Sequence, residues 1–81
     1  MSSAFVDVDL HGLTADQAQV EIDRVLRRLS PSVYQVRLTH GYHGGTAIRS
    51  MIQYRYRRHP KVRRIMPGDN PGVTILVIRE L

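Results

Sequence analysis

Apolar and acidic residues alternate along Phe5-Val6-Asp7-Val8-Asp9-Leu10, which predicts a strand with Val6, Val8 and Leu10 on one face. His11-Gly12-Leu13 breaks the alternation, and the period then changes. Ala18, Ile22, Val25, Leu26 and Leu29 recur at intervals of three and four, the stripe of a helix laid on a core, with Arg24, Arg27 and Arg28 directed away. Thr14 and Gln17 have the spacing of a capping box at its start, and Ser30-Pro31-Ser32 is expected to end it. Tyr34, Val36 and Leu38 alternate with Gln35, Arg37 and Thr39 in a second strand, followed by a glycine-rich loop, His40-Gly41-Tyr42-His43-Gly44-Gly45. Thr46 is expected to cap a second helix that buries Ile48, Met51 and Ile52, with Tyr56 a further candidate, and that stops at His59-Pro60. Residues 62–66 read as a short basic strand, residues 67–72 as turn chemistry throughout, and residues 73–79 as the most strand-like segment of the chain.

The order is therefore β-α-β-α-β-β. A strand, a capped helix and a second strand within one short stretch form a right-handed βαβ unit with parallel strands. The expected α/β architecture is a two-layer sandwich, one mixed four-stranded sheet with two helices packed on it, formed as a single domain over residues 1–81. No internal repeat, linker or low-complexity tract interrupts it.

The chain contains no cysteine, which excludes a disulfide scaffold, a thiolate zinc site and a cysteine nucleophile. The longest apolar run, residues 73–78, is interrupted by Thr74 and falls far short of the ~20 residues of a membrane span. Met1-Ser2-Ser3-Ala4 lacks the basic start and apolar stretch of a signal peptide, so a cytoplasmic domain without membrane contact is expected. Charge changes the picture more. Residues 1–36 carry three arginines and five acids, whereas residues 37–81 carry nine basic residues and two acids. Arg49, Arg55, Arg57, Arg58, Lys61, Arg63 and Arg64 follow one another with no acid between them. Such a block favours a polyanion partner, RNA or DNA, because each phosphate neutralised releases counterions. A solvated basic face with no partner is the alternative, and a basic face for an acidic protein is a third reading.

Two distant loops share a grammar. Asp9-Leu10-His11-Gly12 follows the first strand and Thr39-His40-Gly41 the second, and each precedes a helix. In a parallel sheet both lie at the carboxyl ends of their strands, where ligands of open α/β sheets bind, and both feed helix N-termini that attract anions. Gly12, Gly41, Gly44 and Gly45 would let a phosphate approach the backbone closely, with His43 beside it. His11 and His40 should then be neighbours, able to exchange protons near neutral pH. Asp9, two residues before His11, could fix a tautomer or accept a proton, which makes Asp9, His11 and His40 the catalytic candidates for attack on a phosphodiester by water or an RNA 2′-hydroxyl. The plainer reading of Asp9-x-His11 is a local hydrogen-bonding device, and that of His40-Gly41 a backbone cap. Asp9, His11, His40 and His43 are also a histidine–carboxylate donor set, but their spacing matches no zinc motif. A divalent metal is compatible with the sequence without being required, and no metal ligand is assigned. Tyr54 and Tyr56, set among arginines, could stack bases or pack under arginine stems, the latter being expected for at least one of them.

These residues also carry a family resemblance. Val8-Asp9-Leu10-His11-Gly12 resembles the Leu-Asp-Leu-His-Gly signature of the small MutS-related (Smr) domain. His40-Gly41-Tyr42-His43-Gly44-Gly45 resembles, in altered form, its His-Gly-x-Gly-x-Gly loop. Ala47-Ile48-Arg49 is similar to the start of its second helix, and Asn70-Pro71-Gly72-Val73-Thr74-Ile75 to its closing glycine-rich strand. The likeness covers nearly the whole chain. It implies a β-α-β-α-β-β fold similar to the C-terminal domain of bacterial initiation factor three. It also implies nucleic-acid binding, with DNA nicking or RNA cleavage in several members. Asp9, His11, His40, Gly41 and Arg49 stand where the family has its motif residues. The chain departs from the pattern by losing the alternating glycines, gaining His43, and keeping only Gly72, behind Pro71, in the closing turn. Those changes alter the phosphate cradle, which would shift substrate choice or leave a binder that does not cut.

Overall fold

The computed structural model describes residues 4–42 and 45–80. Its elements run β1 (Phe5–Asp9), α1 (Ala15–Arg27), β2 (Gln35–Thr39), α2 (Gly45–Tyr56), β3 (Arg64–Pro67) and β4 (Val73–Val77), the expected order. The strands form one mixed sheet in the order β1-β2-β4-β3. β1 and β2 are parallel, with Asp9 opposite Thr39, and β4 lies antiparallel to both β2 and β3.

Local chemistry sets the element ends. The Thr14 hydroxyl accepts the Gln17 N–H at 3.1 Å, while the Gln17 side chain accepts the Thr14 N–H at 3.0 Å, so α1 begins in a complete capping box. α1 ends at Arg27, three residues before Ser30, because the Arg28 N–H turns back to the Val25 carbonyl. The Lys61 ammonium donates to the Leu26 carbonyl at 2.6 Å, meeting the negative end of the helix. α2 starts at Gly45, so Thr46 lies inside its first turn rather than capping it. The last strand ends at Val77, short of residue 79, since the Ile78 and Arg79 N–H groups turn to the Tyr34 carbonyl. β3 begins at Arg64 rather than residue 62, because the Val62 N–H closes a turn onto the His59 carbonyl.

Alternation along the strands divides the sheet into two faces. Val8, Val36, Leu38 and Leu76 meet Ala18, Ile22 and Leu26 of α1 and Ile48, Ile52 and Tyr56 of α2 in one core, so both helices cover the same side. Val73, Ile75 and Val77 form a smaller cluster on the opposite face with Met66. There Arg37 bonds Asp69 at 3.0 Å and lies 3.8 Å from Asp7. Among the described residues, no helix is long and apolar enough to cross a membrane.

Candidate functional site

The site is built where three strand ends meet. The Leu10 N–H donates to the Thr39 carbonyl at 2.7 Å, which carries the β1–β2 pairing into the two loops. The His40 and Gly41 N–H groups both donate to the Gly72 carbonyl, at 2.9 and 3.1 Å, and so tie β2 to the entry of β4. The Asn70 side chain accepts the Gly72 N–H at 2.9 Å and closes the turn beneath them. Gly41 has φ of 84° and Gly12 of 81°, left-handed conformations that only glycine adopts without strain. A Cβ built on Gly41 would lie 3.8 Å from the His11 Cβ, and one on Gly72 would lie 3.4 Å from the Gly41 Cα. His11, Gly41 and Gly72 thus stand side by side, as the two-loop reading requires.

Asp9 and His11 form an exposed dyad. The Asp9 carboxylate accepts both the His11 backbone N–H, at 3.1 Å, and the His11 imidazole Nδ1, at 2.7 Å. A carboxylate only accepts, so Nδ1 carries the hydrogen and the neutral ring leaves its Nε2 lone pair outward. That hydrogen bond, reinforced by the charge of the carboxylate, raises the His11 pKa above its ordinary value and lowers that of Asp9. The side chains are 72% and 64% exposed, so Nε2 can reach a bound molecule.

His40 is placed differently. It is 2% exposed, and both ring nitrogens are engaged inside the protein. Nδ1–H donates to the Gly41 carbonyl at 3.0 Å, and the Thr74 hydroxyl meets Nε2 at 2.9 Å. In the neutral ring Nε2 accepts from that hydroxyl. The Leu10–Thr39 bond joins the two loops, but the His11 ring is exposed whereas the His40 ring is buried and engaged inside the protein. Thr74 and Gly72 thus hold the second histidine loop in place, a contact the sequence reading did not assign to either residue. The visible signal for them was the Asn70-Pro71-Gly72 turn leading into an apolar strand.

Arg49 stands at a junction. It lines a small cleft of about 90 Å³ with His40, Gly41, Tyr42, Thr46 and Pro71. It also borders a groove of about 610 Å³ reaching Gln53, Asp69 and Asn70, and an open trough along α2 with Gln53, Tyr54, Arg55, Arg57 and Arg58. The rest of the basic block disperses. Lys61 is held against the end of α1, and Arg64 pairs with Glu80 at 2.7 Å on β3. Arg63 is exposed just ahead of β3, its N–H bonded to the Val77 carbonyl. The tyrosines separate too. Tyr56 is buried, its hydroxyl donating to the Asp23 carboxylate at 2.6 Å, and burial raises its pKa, whereas Tyr54 is 87% exposed. His43 and Gly44 lie outside the described residues. Among those described, no three His, Asp or Glu side chains gather as a metal cluster.

Among curated proteins none matches the chain. The crystal structure of the Smr domain of Thermus thermophilus MutS2 matches with a TM-score of 0.82 and 31% identity, covering 93% of this chain and 99% of that one. A family model for the Smr domain matches residues 8–79, a span containing both histidine loops, α2 and the closing strand. The chain belongs to the Smr domain family, whose members in general bind nucleic acid and include nucleases.

Proposed function

We propose that this protein binds nucleic acid, RNA or DNA, and cleaves a phosphodiester with the Asp9–His11 dyad. One observation carries the reading: an exposed imidazole is held through Nδ1 by a carboxylate, on a residue whose Cβ lies against the left-handed Gly41 at the joined ends of β1 and β2. The phosphate seat falls at the start of α2 rather than α1. The first turn of α1 holds Asp16 and spends N–H groups on its own capping box, whereas the first turn of α2 has no acid and is followed by Arg49. In the chemical step His11 Nε2 takes the proton of the attacking hydroxyl, from water or an RNA 2′-hydroxyl. The attacking oxygen bonds to phosphorus, one ester P–O bond breaks, and the departing oxygen takes a proton from solvent. Asp9 stabilises the imidazolium formed on the way. His40 is a positioning residue here, its ring locking the Gly41 carbonyl against β4. A cleavage assay run with and without chelator reports whether a divalent metal takes part.

A second reading, binding without cleavage, draws on a separate observation. The trough along α2 is lined by Arg49, Arg55, Arg57 and Arg58 with no acidic residue, and the second loop departs from the family's glycine pattern. The variant His11→Ala separates the two. Loss of turnover with retained RNA affinity supports the nuclease. A wild type that cuts nothing, and loses affinity on Arg57→Ala/Arg58→Ala, supports the binder. Both require affinity to fall steeply with salt, and a flat salt response overturns both.

A further inference from the structure

We infer that the preferred ligand is single-stranded, and that two exposed tyrosines, Tyr42 and Tyr54, are its base-stacking platforms on either side of Arg49. The inference rests on the nucleic-acid reading above and adds to it the strand state of the ligand. Among the described residues, four large apolar or aromatic side chains are exposed: Phe5, Val20, Tyr42 and Tyr54. Two of them flank the same arginine. Tyr42, 63% exposed, shares the small cleft with Arg49 and Gly41, while Tyr54, 87% exposed, shares the α2 trough with it. Neither lining contains an acid, and Asp69, the carboxylate in the adjoining groove, is already engaged by Arg37. A ring so exposed in a cationic trough contributes nothing to the core. Tyr56, two residues on, does the structural work through Asp23.

Base stacking argues against a duplex. Arg49 and Tyr54 are five residues apart, so the ring stands ~7.5 Å further along α2 than the arginine. Stacked nucleotides advance ~3.4 Å per nucleotide along one strand, and a base inside a duplex has both faces covered by its neighbours. A base can lie on Tyr54 or Tyr42 only when it is unstacked and unpaired. With its phosphate at Arg49, the nucleotides on the two sides come within reach of the two rings.

The test is fluorescence anisotropy with a labelled single-stranded RNA of mixed sequence and a blunt duplex of the same sequence, at fixed salt. Wild type is expected to bind the single strand more tightly. Tyr54→Ala should weaken single-strand binding about 5- to 140-fold and leave duplex binding and thermal stability unchanged, while Tyr54→Phe stays within about twofold of wild type because the ring is kept. Tyr42→Ala should add a second loss on the single strand. Unchanged single-strand affinity in Tyr54→Ala, or equal losses on both ligands, overturns the inference and leaves the proposed function standing. Failure of wild type to bind either ligand overturns both.

Discussion

Thr74→Val isolates the link between β4 and the second histidine loop. The substitution keeps the β-branched shape, so it opens no cavity and suits the strand, and removes only the hydroxyl that meets His40 Nε2 at 2.9 Å. Thr74 is 3% and His40 2% exposed, so water has no ready route to the orphaned nitrogen. Leaving a buried polar atom unsatisfied costs about 1–3 kcal/mol, a large share of the stability of a domain this small. In thermal unfolding followed by far-ultraviolet circular dichroism, each kcal/mol lowers Tm by roughly 4–8 °C at this chain length. Urea titration should show the same loss with an unchanged m-value, because the surface exposed on unfolding is the same. The Asp9–His11 dyad makes no contact through Thr74, so the titration of His11 should not move, while cleavage falls because Gly41 loses its anchored ring. A stability loss below about 0.5 kcal/mol would refute the reasoning, for it would mean that His40 does not depend on this bond.

Gly41→Ala forces a side chain into the left-handed region at φ of 84° and should cost about 1–2 kcal/mol, read as a fall in Tm with cleavage reduced further. Asp9→Asn should move the His11 imidazole titration, followed by NMR, down toward the ordinary value, since the carboxylate is what raises it. The same pair contributes modest, solvent-screened stability, with a window set by both partners. The Asp9 part is present above its ordinary 3.8 and lost as pH falls through its lowered value. The His11 part is present below 6.5 and lost as pH rises through its raised value. Arg57→Ala/Arg58→Ala should weaken RNA binding and flatten its log–log salt dependence by about 0.7–0.9 per lost phosphate contact. Lys61→Met should lower Tm with RNA affinity nearly unchanged, since the Lys61 ammonium is taken up by the Leu26 carbonyl.

Much of this architecture is legible in the chain because it is local. The capping box needs only Thr14 and Gln17, and the two-residue alternation of β1 and β2 marks which side chains enter the core. The meeting of the two histidine loops follows from parallel pairing alone. The opposite fates of the two histidines were also encoded, though they are easily missed. His40 continues the inward series Val36, Leu38, whereas His11 continues the outward series Asp7, Asp9. What the chain does not display are partners set by tertiary geometry. Thr74 reaches His40 across 34 residues, Lys61 reaches Leu26 across 35, and Arg64 finds Glu80 only once β3 and the end of the chain are folded side by side. The basic block therefore reads in sequence as one surface, but folds into a trough at Arg49, Arg55, Arg57 and Arg58 and structural contacts at Lys61 and Arg64.

The central claim is that an Asp9–His11 dyad does the cutting, and a cleavage time course tests it most directly. End-labelled single-stranded RNA and supercoiled plasmid are incubated with wild type and with the Asp9→Asn/His11→Ala variant, each with and without chelator. Wild type is expected to cleave at least one substrate and the variant none, with both proteins shifting RNA to the same extent, while the chelator lanes report any need for a metal. Equal cleavage by the two proteins, or RNA binding by wild type with no cleavage under any condition, would contradict the claim.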